Sequence, residues 1–172
     1  MSQLNFTIQE AQKKDAPALI NYVKRVADET NFLTFDSSEF NKTIEEEAQI
    51  IESHRLAKNQ LFILAKLDHQ IIGMLNVNAN RKKRLAHIGE FGVSVLQAYW
   101  NKGVGGSLVD YMIDWAIKSG VIRKLNLTVS ADNESAIQLY KNKGFEMEGR
   151  ISRDIQLDGV FYDTFKMGLL ID

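Results

Sequence analysis

A chain of 172 residues with 45% apolar and 25% charged side chains and a net charge of −1 has the size and balance to bury one core without staples. The near-zero charge excludes a broadly basic surface for nucleic acid or anionic membrane, and the lack of cysteine excludes disulfides, thiolate metal sites and any covalent mechanism through a cysteine. No apolar run reaches the length of a membrane span, the amino terminus lacks a basic-then-apolar layout, and no repeat or linker interrupts the sequence, so one domain over 1–172, expected in the cytoplasm, is the reading.

Phe6 and Ile8 alternate with Thr7 and Gln9, which predicts a strand over 5–11. Asp15 and Pro17 then precede Leu19, Ile20, Val23 and Val26 at helical spacing, a helix with its start signal. After a polar stretch, Ser37 or Ser38 is expected to cap a second helix over 39–58, with Phe40, Ile44, Ala48 and Ile51 on one face. The β-rich runs 61–67 and 71–79 predict a hairpin. Arg81 to Arg84 read as a solvated turn between strands rather than a phosphate-binding patch. A strand over 85–96 leads into the glycines of "YWNKGVGGSL", and a helix over 106–120 follows with Leu108, Met112 and Trp115 on one face. Residues 124–133 predict a strand, 133–144 a short helix capped by Asn133, and 145–157 with 160–171 an antiparallel pair about the Asp158-Gly159 turn. This order implies a mixed sheet with helices on both faces.

Gly103, Gly105 and Gly106 let a ligand approach the backbone where a helix begins, and the unpaired N–H groups and positive dipole end of that helix suit a phosphate. By themselves three glycines at a strand-to-helix junction fit a structural tight turn equally well. A P-loop is excluded because no Gly-Lys-Ser/Thr closes the stretch, and the dinucleotide fingerprint fails on glycine spacing.

The segment "GVSVLQAYWNKGVGGSLVDYMIDWA" resembles the acetyl-coenzyme A signature of the GNAT superfamily of N-acetyltransferases, and "LTVSADNESAIQLYKNKGFEMEGR" is similar to the strand and helix that follow it there. The resemblance implies an α/β (α+β) fold, the GNAT acyl-CoA N-acyltransferase fold, with a mixed, mostly antiparallel sheet of about seven strands flanked by four helices. Residues 30 to 58 match only as variable, helix-rich, acceptor-side sequence. Within the superfamily, "GFEMEGRISRDIQLDGVFYD" most resembles bacterial amino-acid, polyamine and ribosomal-protein acetyltransferases. It implies acetyl-CoA as cosubstrate, no metal, and contacts from Val93, Ser94, Val95, Trp100, Asn101, Lys102, Gly103, Val104, Gly105, Gly106, Ser107 and Asn133. Val93 and Val95 would meet the pantetheine arm through backbone groups, as an added strand does, and 101–107 would wrap the pyrophosphate. Trp100 departs from the Gln or Arg usual at its position, which predicts altered packing with binding kept. Asn133 is also a plain helix cap.

Acetyl transfer to an amine needs a neutral amine, a stabilised oxyanion and a proton for the leaving thiolate. With no cysteine, direct attack in a ternary complex is the natural route. By resemblance Tyr140 protonates the thiolate, although its spacing alone fits an aromatic packing its helix on the sheet. Glu90 is the candidate base, directly or through water, or else a structural carboxylate paired with a neighbouring strand; His87 is the alternative base. Thr128 stands where some ribosomal-protein acetyltransferases carry a glutamate, which weighs against that acceptor. Glu45, Glu46, Glu47 and Glu52 read as the wet face of a helix before a lure for a cationic amine, and Phe32, Leu33 and Phe35 either line an acceptor pocket or cover the core. The expected acceptor is a small primary amine, an amino acid or polyamine. A protein amino terminus or lysine is the rival acceptor, and a non-catalytic acetyl-CoA sensor is the reading of another class. The family accommodates a homodimer, through the closing hairpin or a sheet edge.

Overall fold

The computed structural model describes residues 3–172. Eleven regular elements follow one another: β1 (Thr7–Glu10), α1 (Ala16–Glu29), α2 (Ile44–Leu56), β2 (Leu61–Leu67), β3 (Gln70–Ala79), β4 (Ile88–Val95), α3 (Val104–Ser119), β5 (Lys124–Ser130), α4 (Glu134–Asn142), β6 (Glu146–Leu157) and β7 (Val160–Leu170). The strands form one sheet in the order β1-β2-β3-β4-β5-β7-β6. Every neighbouring pair is antiparallel except β4 and β5, so the expected mixed, mostly antiparallel sheet of seven strands with four helices is what the chain forms. Among the described residues no helix is long and apolar enough to cross a membrane.

Alternation along the strands divides the core in two. Ile63, Leu75, Val77, Phe91, Leu125, Leu127 and Met167 pack with α3 and α4 on one face. Phe62, Leu64 and Ile71 pack with Leu19, Tyr22, Val23 and Val26 of α1 and Ile51 of α2 on the other. Each helix supplies one apolar stripe to its face, and the desolvation of those stripes holds the layers together.

The parallel seam is short. β4 and β5 pair only at Ile88 with Lys124, Gly89 with Leu125 and Glu90 with Asn126, after which β4 continues to Val95 and β5 to Ser130 without pairing to each other. The closed end is tight, since a Cβ at Gly89 would lie 2.6 Å from Val77 Cγ1. At the far edge of the sheet β6 bulges, with Ser152, Arg153 and Asp154 standing opposite Asp163 alone, and Arg153 takes a left-handed φ of 51° to do so.

The second helix departs from expectation. A short 3-10 turn, Ser37–Glu39, is capped by Asp36, and α2 begins only at Ile44. Its cap is Thr43, whose side chain accepts from Glu46 N–H while Glu46 returns a bond to Thr43 N–H. This reciprocal box outcompetes Ser37 and Ser38 because it satisfies two orphan donors at once. The buried stripe runs through Glu47, Ile51 and His54, and Ile44, placed inside by the sequence pattern, is 50% exposed. Helix α3 starts two residues earlier than predicted, at Val104.

Candidate active site

The parting of β4 from β5 leaves main-chain groups without a strand to bind. Leu96 N–H donates to Ile72 C=O at 2.9 Å, which sets the phase of the β3–β4 ladder: Met74 with Ser94 and Asn76 with Gly92 are hydrogen-bonded pairs, and Gly73 with Val95 and Leu75 with Val93 are the intervening ones. Val93 and Val95 therefore turn their N–H and C=O groups away from β3, toward the opening. Ser94 does the reverse. Its main chain bonds β3 and its hydroxyl shares a 2.9 Å hydrogen bond with the Tyr22 hydroxyl, so Ser94 ties α1 to β4. Burial raises the Tyr22 hydroxyl well above its ordinary pKa, against the lowering pull of Ser94.

The glycine loop lies where this strand ends. Asn101 and Gly103 are left-handed, at φ 58° and 85°, a conformation that asparagine tolerates and glycine adopts freely. Gly103 is the N-cap of α3 and contributes no side-chain cap, so the first amides of the helix have no intramolecular acceptor until Ser107 N–H reaches Gly103 C=O at 3.0 Å. The loop is held back on its strand by Trp100, whose indole N–H donates to Val95 C=O at 2.7 Å. That bond gives the altered packing expected of Trp100 a specific form: the ring spans the loop and leaves Val95 only its N–H for a ligand. Lys102, Gly103 and Ser107 line one side of a cleft of about 720 Å³ whose other side is Leu4, Asn5 and Phe6. A second hollow, of about 530 Å³ on α2, is lined by Lys42, Glu46, Gln49, Ile50 and Ser53 and shares none of the predicted catalytic or cofactor residues.

Tyr140 stands on the α3/α4 face and is 7% exposed. Its ring meets Phe91 and Phe145 edge-on, with centroids 5.9 Å away in both cases. Burial pushes its hydroxyl up to about 12, so the group keeps its proton at neutral pH. Asn133 caps α4, its side chain accepting from Ala136 N–H at 3.2 Å.

Glu90 lies on the opposite face. It is in register with Asn78 of β3 and Asn126 of β5, and Thr128, two residues beyond Asn126, is in register with Lys166 of β7. Registered partners and alternate residues share a side, so Glu90, Asn126, Thr128 and Lys166 form one polar row across the last paired step of the seam. Lys166 Nζ donates to Thr128 Oγ1 and stands 3.7 Å from Glu90 Oε1, the two side chains being 45% and 62% exposed. Asn126 Oδ1 is buried without a hydrogen-bond partner. On the covered side of the row, buried His54 of α2 bonds Asn78 Oδ1 at 2.9 Å. His87 precedes β4 at the closed end of the seam and is exposed.

The acidic helix face is not uniformly wet. Glu45 and Glu46 are exposed and Glu52 pairs with Arg55, but Glu47 is 3% exposed, with one oxygen lacking a hydrogen bond and Lys42 Nζ no nearer than 4.0 Å. Burial raises its pKa, opposed by Lys42 and His54. Leu33 and Phe35 pack on the α1/α2 core, while Phe32 is 43% exposed. Lys166 and Asn126 were not singled out from the sequence. The only local signal for Asn126 is the alternation of "KLNLTVS", which puts Asn126 and Thr128 on the side opposite Leu125, Leu127 and Val129. Among the described residues no group of three carboxylates or imidazoles could hold a metal.

The geometry has many counterparts. An acetyltransferase of the GNAT family from Streptococcus pneumoniae superposes with a TM-score of 0.94 at 36% identity, over 98% of this chain and 100% of that one. The yncA protein of Salmonella typhimurium, solved with its cofactor acetyl-CoA, superposes with a TM-score of 0.85 at 20% identity, over 98% of this chain and 95% of that one. In sequence, the L-amino acid N-acetyltransferase AaaT of Escherichia coli is 30% identical over 105 residues, which is 61% of this chain and 65% of the relative's length. The spermidine N(1)-acetyltransferase of Escherichia coli is 22% identical over 149 residues, 86% of this chain and 78% of the relative. The acetyltransferase (GNAT) family model matches residues 20–145, the span that carries the opened strand, the glycine loop and Tyr140, and the chain belongs to that family.

Proposed function

We propose that this protein transfers the acetyl group of acetyl-CoA to a small primary amine, an amino acid or a polyamine, by direct attack in a ternary complex. The observation that carries the reading is the opened edge of β4 running into uncapped helix amides. Val93 and Val95 offer main-chain groups to an extended amide-bearing arm, and the loop amides of Gly103 to Gly106 offer donors to phosphate. The residues fit the cosubstrate in length and polarity, an added strand first and an anion site at its end.

Acetyl-CoA supplies the activated thioester, and this chain supplies its surroundings. Tyr140 holds a proton beside the apolar face of the opening and gives it to the departing thiolate. Glu90, on the other face, receives the amine proton through water. The two groups lie on opposite sides of the seam at the opening between β4 and β5. The names of the amino-acid and spermidine enzymes support a small acceptor over a protein. A homodimer has a place on the closing hairpin, where Val160 and Phe161 are about half exposed.

Thiol release from acetyl-CoA tests the reading directly, followed with a thiol-reactive dye against amino acids, polyamines, aminoglycosides and lysine peptides. The cysteine-free protein adds no background. Saturable release with one amine class is the expected result. Cofactor binding without release across the panel overturns it in favour of a sensor.

A further inference from the structure

The geometry points to Lys166 as the anchor for an acceptor carboxylate beside the Glu90 amine site, which makes the acceptor an α-amino acid with both of its charged groups free. The inference rests on the acetyl-transfer reading and narrows its acceptor.

Lys166 differs from four of the other paired lysines, and the remaining one, Lys42, is a loose partner at 4.0 Å of the buried Glu47 on α2, away from the seam. Lys66, Lys124, Lys143 and Lys118 each hold a carboxylate at 2.7 Å, which absorbs their charge in a direct bond. Lys166 makes its close hydrogen bond to the neutral Thr128 hydroxyl, and its nearest carboxylate, Glu90, remains at 3.7 Å. Both members of this loose pair are open to solvent. They lie at the last paired step of the seam, where the strands begin to part, on the face whose helices α1 and α2 rest on β2 and β3. Thr128 thereby steers a cation over the seam from the neighbouring strand.

A positive and a negative group 3.7 Å apart match the ammonium and carboxylate carried on one α carbon. With the carboxylate on Lys166, the amino group falls to Glu90, the group that takes its proton. A polyamine brings a second cation toward Lys166 and is repelled; an amide in place of the carboxylate, as in a peptide, leaves Lys166 without a counter-charge. Net neutrality of the pair favours a zwitterion, whereas a polyamine site calls for an excess of carboxylates.

The test is thiol release with the L-amino acids, the best of them then measured beside its α-carboxamide, its decarboxylated amine and spermidine. The wild-type protein is expected to prefer the free acid by about tenfold or more in kcat/KM, the worth of one charge-assisted contact. Lys166→Met should raise KM for the acid by a similar factor, well beyond any change for the carboxamide, and bind acetyl-CoA as tightly as the wild type by calorimetry; Lys166→Arg should recover most of the preference. Equal or better use of the carboxamide, the plain amine or spermidine overturns the inference while acetyl transfer stands. A preference that survives in Lys166→Met overturns it also. No release with any amine, despite measured acetyl-CoA binding, removes the transfer reading and this inference with it.

Discussion

On the α3/α4 side of the β4–β5 seam the site consists of main chain on an apolar scaffold: Val93 and Val95 present backbone groups, the loop presents amides, and Tyr140 sits between Phe91 and Phe145. On the α1/α2 side the same seam is lined by side chains: Glu90, Asn126, Thr128 and Lys166 arrive from three strands. Backbone groups are common to every residue type, so the first region tolerates substitution wherever chain path and packing survive. Side-chain groups are individual, so the second region changes its ligand with each substitution. A cosubstrate shared across a family suits the first material, and a variable acceptor suits the second.

The largest expected effect tests Tyr140, the one side chain on the backbone-built side proposed to act in the chemistry. Tyr140→Phe should lower kcat by about a hundredfold or more and leave acetyl-CoA affinity unchanged, a split that steady-state kinetics with calorimetry reads directly. Wild-type kcat would make Tyr140 a packing residue only. Glu90→Gln follows, with a loss of kcat/KM of about tenfold to a hundredfold at neutral pH and intact cofactor binding. Were cofactor affinity to fall instead, the two sides would not be separate sites. Gly105→Val should weaken acetyl-CoA binding by about tenfold or more in a folded protein, because the amide stays but the approach to it is filled; Gly105 has only Leu139 and Val95 side chains near, at 3.7 and 3.8 Å, so the fold accepts the change more readily than the ligand does.

Two smaller effects concern stability. Gly89→Ala should cost about 1–3 kcal/mol, measured by urea denaturation, since its Cβ would press on Val77 at the closed end of the seam. Glu47→Gln should stabilise the protein by on the order of 1 kcal/mol at neutral pH, because a carboxylate buried without a close partner is costly when charged. The sign against pH follows from its raised pKa: the contribution of wild-type Glu47 is best below the ordinary glutamate range and is lost as pH rises through the raised value. The advantage of Glu47→Gln therefore shrinks on acidification, and thermal melts at neutral and mildly acidic pH check it.

The glycine turn between β4 and α3 was legible because its requirements are local. A strand, a turn of glycines and a helix are consecutive in the chain, and Gly103 and Asn101 take left-handed conformations that their residue types favour. Helix α2 was legible as a helix but not in its phase. The capping box at Thr43 and Glu46 set its start, and its packing against α1 and β2 put Glu47 inside and left Ile44, in the first turn, outside. Capping satisfies particular hydrogen bonds, and a hydrophobic pattern carries no record of them. The main-chain direction of each β4 residue shows the same limit, because whether a strand residue bonds one neighbour or the other depends on the phase of a ladder that begins at Ile72 and Leu96.

What the sequence by itself determined is the order of elements, the mixed sheet, the glycine loop at its strand-to-helix junction and the tyrosine after it, since each arises from periodicity, backbone preference or a contiguous motif. Only the tertiary structure decided that β4 and β5 part after three pairs, and that Glu90 meets Lys166 from a strand far along the chain. Such contacts depend on strand register, and register is settled when whole faces are buried together, not by the residues that end up touching.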